Sequence, residues 1–220
     1  MMSFERMHDA VEFYKANGFR VMPLFGVEDK CKHVPVKPEL DCKGQCWGKV
    51  PMERHWPEKE VFEKDDFPTG CNLALIMGEQ LDGRWFVGLD IDGEFNLEEF
   101  VSLPPTIECI TRRGKHLIFE VAADMYLGNW NDIFSTRSKT IGYRLDYKGA
   151  VDLKYCRGAM ASPPSRTRDG LEYKWTAWMQ PVFMPESEIL FLKRKRRFSF
   201  PNVKRYRKWS EDPLHFGKRP

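Results

Sequence analysis

The sequence lacks any long hydrophobic run. No stretch of about eighteen apolar residues, the length that crosses a bilayer as a helix, occurs anywhere in the chain. The first residues carry acidic side chains and lack the apolar centre of a secretory signal peptide. We therefore predict a protein without a membrane partner that resides in the cytoplasm.

The sequence also lacks the regular cysteine spacing of a secreted disulfide scaffold. Its six cysteines are irregularly spaced among ten methionines, which is typical of a reducing compartment. Four potential ligands nevertheless gather in the Cys- and Pro-rich segment 27–57, namely Cys31, His33, Cys42 and Cys46. Such nitrogen and sulfur donors suit a tetrahedral structural Zn²⁺. A loop of free thiols is the alternative, and the spacing leaves both interpretations open.

An excess of positive charge is absent outside the C-terminal end. Residues 193–220 contain eleven Lys and Arg side chains against Glu211 and Asp212, whereas the rest of the chain is net acidic. Aromatic residues are interleaved with these cations, an arrangement that holds single-stranded nucleic acid without sequence preference. A solvated, partly disordered extension that only aids solubility, or a basic run of the kind that serves localisation, is the alternative. The residues predicted to bind nucleic acid are Lys193, Arg194, Arg196, Arg197, Arg205, Arg207 and Trp209.

Hydrophobic periodicity predicts an α+β fold with a largely antiparallel sheet. An amphipathic helix is expected after Ser3, its predicted cap, and is expected to end at Gly18. We expect the strands in 71–78 and 84–93 to be neighbours, and the two strands in 149–162 to pair after a polar loop. Further strands are predicted in 19–25, 106–111, 115–122 and 171–178, and helices in 96–103 and 184–197.

Two aspartates interrupt an apolar strand pattern in the stretch FVGLDIDG, residues 86–93. Residues two apart in a strand point to the same face, so Asp90 and Asp92 would form a pair of like charges that repel unless a cation lies between them. Carboxylate oxygens are the ligands that Mg²⁺ and Mn²⁺ prefer. Asp152, on the same face, would complete a two-metal site for phosphoryl transfer. Solvated aspartates at a strand end and a surface Asp152–Lys154 pair are the alternatives.

A basic turn precedes the only histidine found in a predicted strand. Arg112, Arg113 and Lys115 surround Gly114, and His116 follows at once. Cations and N–H donors that converge beside a glycine suit a triphosphate. A histidine with a purely structural role is the alternative.

Taken in order, these motifs resemble the archaeo-eukaryotic primase superfamily. More narrowly, the chain resembles the bifunctional primase/polymerase domain of plasmids, phages and mobile elements. The resemblance covers about residues 7–178 and includes the stretches NGFRVMPL, GKVP, NLALIMG, LDIDG, TRRGKH, VDLKYCRGAMASPPS and GLEYKW. Relatives often show two glycines before the histidine, where this chain has Arg113-Gly114-Lys115. The difference adds charge near the phosphates and puts fine substrate preference in question.

The resemblance implies specific roles for residues of this chain. Asp90, Asp92 and Asp152 would ligate catalytic Mg²⁺ or Mn²⁺, and His116 would contact the phosphates of the incoming nucleotide. Lys49 and the segment 163–165, with Ser165, would lie near the nucleotide pocket, beside Arg113 and Lys115. Cysteine-rich insertions before the GKVP stretch are frequent in relatives, which favours the zinc interpretation of segment 27–57.

The resemblance also implies a fold and an activity. The expected fold is an RRM-like antiparallel sheet joined to a small α/β N-terminal unit, with 1–192 as the catalytic domain and 193–220 as a basic tail. The expected activity is template-directed nucleotidyl transfer, as a DNA primase or DNA polymerase that replicates a plasmid, phage or other mobile element. Its partners would be single-stranded DNA, nucleoside triphosphates and a separate helicase.

Three other functions compete with this interpretation. A non-catalytic single-strand-binding module on the same scaffold would read bases with exposed aromatics rather than carboxylates. A metal-dependent nuclease would use similar carboxylates. A rolling-circle nicking enzyme requires a paired-histidine motif, and the five histidines of this chain contain no His-x-His. The acidic positions therefore favour a polymerase or a nuclease over the other two.

Overall fold

The computed structural model describes residues 6–27, 48–53, 56, 59, 61–92, 103–123, 138–144, 149–154 and 158–185, with backbone only for 138–144 and 149–151. The elements are one helix, one short 3-10 turn and ten strands within these residues. In chain order they are α1 Met7–Ala16, β1 Val21–Leu24, the 3-10 turn Lys64–Asp66, β2 Asn72–Ile76, β3 Gly78–Glu79, β4 Trp85–Asp92, β5 Ile107–Ile110, β6 Gly114–Val121, β7 Ser138–Arg144, β8 Gly149–Lys154, β9 Ala159–Ser162 and β10 Lys174–Ala177. The fold is α+β, as predicted.

The strands form two antiparallel sheets. The smaller sheet has the order β1-β2-β9. The larger has the order β10-β5-β6-β4-β8-β7, with β3 beside the start of β4. Strand β4 is central because it pairs along its whole length with β6 and over Gly88–Asp92 with β8.

Three expectations about strand pairing were wrong. Strands β2 and β4 are not neighbours, because β2 lies between β1 and β9 in the smaller sheet. Strands β8 and β9 do not pair; β8 joins β4, and β9 joins β2. The segment expected as a polar loop contains β7, which pairs with β8. Alternation of side chains identifies a strand but carries no information on its partner.

Helix α1 begins one turn later than expected. Arg6, not Ser3, occupies the N-cap position and makes no side-chain cap hydrogen bond. The helix ends at Ala16 with Asn17 as its C-cap, and Gly18 follows with a left-handed backbone, where the sequence predicts the stop. Its apolar stripe, Ala10, Val11 and Tyr14, is fully buried. No helix among the described residues has the length and apolar character needed to span a bilayer.

The smaller sheet and α1 pack on one face of the larger sheet. The ring of Phe19, just before β1, lies 4.9 Å from that of Phe86 in β4. A methyl group at Gly88 would overlap the sulfur of Met160 in β9, so glycine lets the two sheets meet there. The opposite face of β4 contributes Val87 and Leu89, which are also fully buried. The sheet packing therefore covers the first half of the Phe86 face of β4 and stops short of Asp90.

A buried hydroxyl joins α1 to the rest of the fold. The hydroxyl of Tyr14 donates to the carbonyl of Pro163 at 2.6 Å and accepts from Trp175 Nε1 in β10 at 2.8 Å. Burial raises the pKa of Tyr14 well above its usual value, so it is a neutral donor. The helix thus fixes both the 163–166 turn and the edge strand β10.

Candidate active site

Three strands bring the predicted polar residues into one row across the larger sheet. Asp90 in β4 lies directly opposite His116 in β6 on one side and Asp152 in β8 on the other. Directly opposed residues in antiparallel strands point to the same face. The strand order β6-β4-β8 therefore places two carboxylates and an imidazole side by side, beyond the edge of the smaller sheet.

The ionised form of Asp90 is stabilised by its neighbours. His116 Nε2 lies 3.3 Å from Asp90 Oδ1. Burial alone would raise the pKa of Asp90, but the hydrogen bond from His116, its charge, and the charges of Lys154 and Lys49 outweigh burial and bring the pKa to about 2. Asp90 is therefore an ionised carboxylate throughout the physiological range.

His116 itself is almost inaccessible. Its side chain is 7% exposed, and its ring packs at 5.9 Å from that of Tyr173. The other ring nitrogen, Nδ1, is buried without a hydrogen-bond partner among the described residues. In this arrangement His116 contacts Asp90 directly, and the unsatisfied Nδ1 is the polar atom of the site that still needs a partner.

A lysine already occupies the space between the two opposed carboxylates. Lys154 Nζ lies 3.3 Å from Asp152 Oδ2 and 3.8 Å from Asp90 Oδ2. Lys154 follows Asp152 by two residues and so shares its face of β8. The ammonium group shows that the row attracts a cation, as expected where like charges face one another.

Asp92 lies at the exposed end of β4. Partial desolvation and the charge of Asp90 raise its pKa, while Lys49, Arg113 and His116 act in the opposite direction. Asp92 pairs with Gly114 of β6. A methyl group at Gly114 would overlap the carbonyl oxygen of Ile91. The glycine of the basic turn therefore allows β4 and β6 to stay close where the carboxylates emerge.

Two of the predicted phosphate-contacting cations act electrostatically on the aspartates of β4. Lys49 is exposed, and its charge lowers the pKa values of both Asp90 and Asp92. Arg113, in the basic turn, likewise lowers the pKa of Asp92. The neighbouring Arg112 forms an ion pair at 2.8 Å with Asp169, which links the basic turn to the 166–172 loop.

Two other residues predicted to lie at the nucleotide pocket do not reach the row. Lys115 alternates with His116 in β6, so it lies on the opposite face, where its Nζ is 3.0 Å from Glu108 Oε2. Ser165 is fully buried, and its hydroxyl accepts from the N–H of Leu73 and donates to the carbonyl of the same residue. Ser165 therefore holds the 163–166 turn against β2.

The remaining predicted site residues lie outside the described part of the chain. They are the four candidate zinc ligands Cys31, His33, Cys42 and Cys46, and the basic and aromatic tail residues between 193 and 209. Of the other cysteines, Cys71 and Cys109 are buried in the core. Burial raises the pKa of Cys109 to about 12, which makes it an unreactive core residue.

Three residues that matter to this site were missed in the sequence. Lys154 was weighed only as half of a surface pair, although its spacing from Asp152 placed it on the carboxylate face. Tyr173 packs against His116, and it lies in the GLEYKW stretch that carried the resemblance. Asn72 bonds two loops beside the row, and no local pattern identifies such a long-range contact.

The donor set fits a hard divalent cation in its chemistry. Its carboxylates are oxygen ligands, and the ammonium of Lys154 marks the position between two of them as favourable for positive charge. No three potential metal ligands of the described residues converge closely enough, as they stand, to form a complete metal site. An ion at this position would therefore require a shift of Lys154.

Comparison with known proteins places the chain in a family. No curated protein matches the chain. Residues 10–187 match the Prim-Pol family model, which is described as bifunctional DNA primase/polymerase, N-terminal. The match spans every described strand and the whole carboxylate row.

Proposed function

Because the chain belongs to the bifunctional DNA primase/polymerase family, we propose that it is a template-directed nucleotidyltransferase. Its catalytic site consists of Asp90 and Asp152 in the row and of Asp92, two residues beyond Asp90 on the same face of β4. The family supports primase or polymerase activity, DNA and nucleotides as substrates, and use of divalent metal ions. The observation that carries the assignment is the register of β6, β4 and β8, which sets Asp90 between His116 and Asp152.

In this proposal the three aspartates hold Mg²⁺ or Mn²⁺. Bound there, divalent ions would activate the attacking 3′-hydroxyl and neutralise charge on the α-phosphate and the leaving pyrophosphate. The low pKa of Asp90 keeps that ligand ionised and ready to bind a cation. His116 keeps Asp90 oriented, and its unsatisfied Nδ1 is available to a phosphate oxygen once the ring adjusts.

The cations around the row would supply binding and orientation. Lys49 and Arg113 lie near enough to act on the carboxylates, so a triphosphate bound there would meet positive charge on its outer side. Lys115 has no part in this arrangement, since it faces Glu108. Ser165 would act indirectly, by fixing the 163–166 turn. The protein thus contributes mainly position and electrostatics.

Several finer features belong to the same proposal. The larger sheet would correspond to the RRM-like core, and residues 1–192 to the catalytic domain. The tail 193–220 would hold the single-stranded template by charge and stacking, and segment 27–57 would bind a structural Zn²⁺. The enzyme would serve a plasmid, phage or other mobile element with a separate helicase, inside the cytoplasm.

A primer-extension assay tests the proposal directly. A labelled primer on a single-stranded template is incubated with dNTPs or NTPs and Mg²⁺ or Mn²⁺, using the wild type and the double variant Asp90→Ala/Asp92→Ala. The double variant Asp65→Ala/Asp66→Ala, which removes two carboxylates from the 3-10 turn Lys64–Asp66 outside the row, is the control. We expect metal-dependent extension that survives in the control and is lost in the site variant.

Other outcomes would contradict the proposal in different ways. Products shorter than the starting primer would identify a nuclease. Tight binding of single strands, with neither extension of a primer nor synthesis on an unprimed template, would identify a binding module. Equal loss of extension in both double variants would show that the effect arises from overall charge and not from the row.

A further inference from the structure

One buried amide ties together two loops beside the carboxylate row. Asn72, the first residue of β2, donates from Nδ2 to the carbonyl of Gly48 at 3.0 Å and to that of Arg166 at 2.8 Å. Its Oδ1 accepts from the N–H of Arg166 at 3.0 Å. Both amide hydrogens and the amide oxygen are thus used, and the side chain is 4% exposed. Asn72 therefore supplies the hydrogen bonds that water would otherwise make to main-chain groups of Gly48 and Arg166, which lie far apart in sequence.

The contact with Asn72 requires a glycine at position 48. Its φ of +79° lies in the left-handed region that favours glycine. A Cβ at this position would lie 2.6 Å from Asn72 Nδ2 and 3.0 Å from a methyl group of Val27. The loop can therefore approach Asn72 only because residue 48 has no side chain.

The chain around Lys49 is held on its other side as well. The carbonyl of Val50 accepts from the N–H of Phe25 at 2.8 Å, and the N–H of Met52 donates to the carbonyl of Pro23 at 3.1 Å. The main chain of Lys49 is therefore anchored by Asn72 before it and by the β1 segment after it. Its exposed side chain therefore starts from a fixed point, and its charge acts on Asp90 and Asp92.

Resting on the proposed function, we propose that Asn72 is a positioning residue for the incoming nucleotide, acting through Lys49. By bonding Gly48, it holds the Lys49 ammonium where it meets the phosphates beside the carboxylates. A loop that is ordered before the ligand arrives does not lose that conformational freedom on binding, which raises affinity. Asn72 touches neither the nucleotide nor the reacting atoms.

A matched pair of variants separates positioning from simple stability. Gln80 is also 4% exposed, and its amide also makes three main-chain hydrogen bonds, to Ile76, Gly78 and Arg20. It lies at the opposite end of β4, because Gly78 pairs with Phe86. Asn72→Ala and Gln80→Ala should therefore lower the melting temperature by similar amounts. Only Asn72→Ala should weaken nucleotide binding.

The measurement uses the full chain, with the α,β-imido analogues of dATP and ATP as probes in the presence of Mg²⁺. We expect Asn72→Ala to raise the dissociation constant about tenfold, within the range of coupling between contacting groups. In primer extension the same variant should raise KM for the nucleotide and leave kcat near the wild-type value. Gln80→Ala should change neither constant.

Combination with Lys49→Ala tests the route of the effect. If Asn72 acts through Lys49, then Asn72→Ala should weaken binding in the wild type but have little further effect in the Lys49→Ala background. Gly48→Ala, which pushes on Asn72 from the other side, should reproduce the loss of affinity. It also keeps the test available if Asn72→Ala fails to fold.

Each outcome has a distinct meaning. Wild-type protein that binds and incorporates nucleotides, with Asn72→Ala and Gly48→Ala indistinguishable from Gln80→Ala in affinity, overturns this inference and leaves the proposed function intact. Additive effects of Asn72→Ala and Lys49→Ala overturn the route through Lys49. A folded wild type that neither binds nor incorporates nucleotides overturns the proposed function itself, and the inference with it.

Discussion

The two halves of β4 share a face but have opposite roles. Phe86 and Gly88 lie under the smaller sheet and contribute to the core, whereas Asp90 and Asp92, two and four residues further on, emerge beside it. The distance from Phe86 to Asp90 is about 13 Å at the rise of a strand. Nothing in the strand itself changes over that distance. The difference arises from where the covering layer ends.

The contrast between the covered half of β4 (Phe86 and Gly88) and its uncovered half (Asp90 and Asp92) explains how the fold keeps several charges together at the end of a buried strand. The covered half fixes the register of β4, β6 and β8 through apolar contacts. The uncovered half continues in the same register, so the pairing of the strands aligns Asp90, His116 and Asp152. Substitutions in the first half should therefore affect stability, and those in the second half activity.

The largest expected effect comes from the covered half. Phe86→Ala removes a fully buried ring that packs on Phe19 and leaves a cavity between the two sheets. Truncation of such a ring costs about 3–5 kcal/mol of unfolding free energy. Urea unfolding followed by tryptophan fluorescence measures the loss. Near-wild-type stability would mean that the layers do not pack here as described.

The next effect comes from the uncovered half and should be seen in catalysis. Asp152→Asn keeps the size of the side chain but removes its charge, and we expect primer extension to fall by about a hundredfold or more, as when a group that stabilises the transition state is lost. Asp82→Asn is the matched control, because Asp82 is similarly exposed and pairs with Arg84 away from the row. Similar losses in both variants would remove Asp152 from the proposed site.

A smaller effect is expected in helix α1, which packs with the smaller sheet. Tyr14→Phe removes one hydroxyl and leaves the Trp175 N–H and the Pro163 carbonyl without their partner. Such unpaired buried groups cost about 1–3 kcal/mol. Thermal unfolding should show this loss. Phe13→Leu, on the same helix but without a side-chain hydrogen bond to lose, provides a comparison for general disturbance of α1 packing.

Local patterns predicted most elements of this fold. The alternation of Val87, Leu89 and Ile91 with Asp90 and Asp92 identified β4 and its polar face, and the turn at Gly114 identified the β5–β6 hairpin. Pairing was predicted less well, because β8 and β9 are near in sequence but contribute to different sheets. Which strands adjoin is decided by long-range burial, which a single strand does not encode.

The site shows the same division between local and long-range information. Residue type and period were enough to select Asp90, Asp92 and Asp152 as a group on one face. The same reasoning wrongly grouped Lys115 with the phosphate contacts. Successive strand residues point to opposite faces, so if His116 lies on the carboxylate face then Lys115 must lie on the opposite one. Residue type and period could not anticipate that the Ser165 hydroxyl is used by the main chain of Leu73, since the two residues are 92 positions apart.

The smallest expected effect concerns the cation that already lies in the row. Lys154→Gln removes the ammonium between Asp90 and Asp152, so the two carboxylates repel each other more and should attract Mg²⁺ or Mn²⁺ more strongly. Since an ion pair of this kind contributes up to about 1 kcal/mol, the metal concentration for half-maximal extension should fall roughly two- to fivefold. A second measurement is the rise in melting temperature on adding Mn²⁺, which should be larger for Lys154→Gln than for the wild type.

Lys59→Gln is the control for that comparison, because Lys59 pairs with Asp66 at 2.8 Å outside the row. An unchanged metal requirement in Lys59→Gln with a lowered one in Lys154→Gln would show that the uncovered half of β4 is held together, before metal binds, by a lysine that the metal displaces. A raised metal requirement in Lys154→Gln would mean the opposite. Lys154 would then help to bind the phosphates that accompany the metal, and the exposed end of the sheet would depend on both charges being present at once.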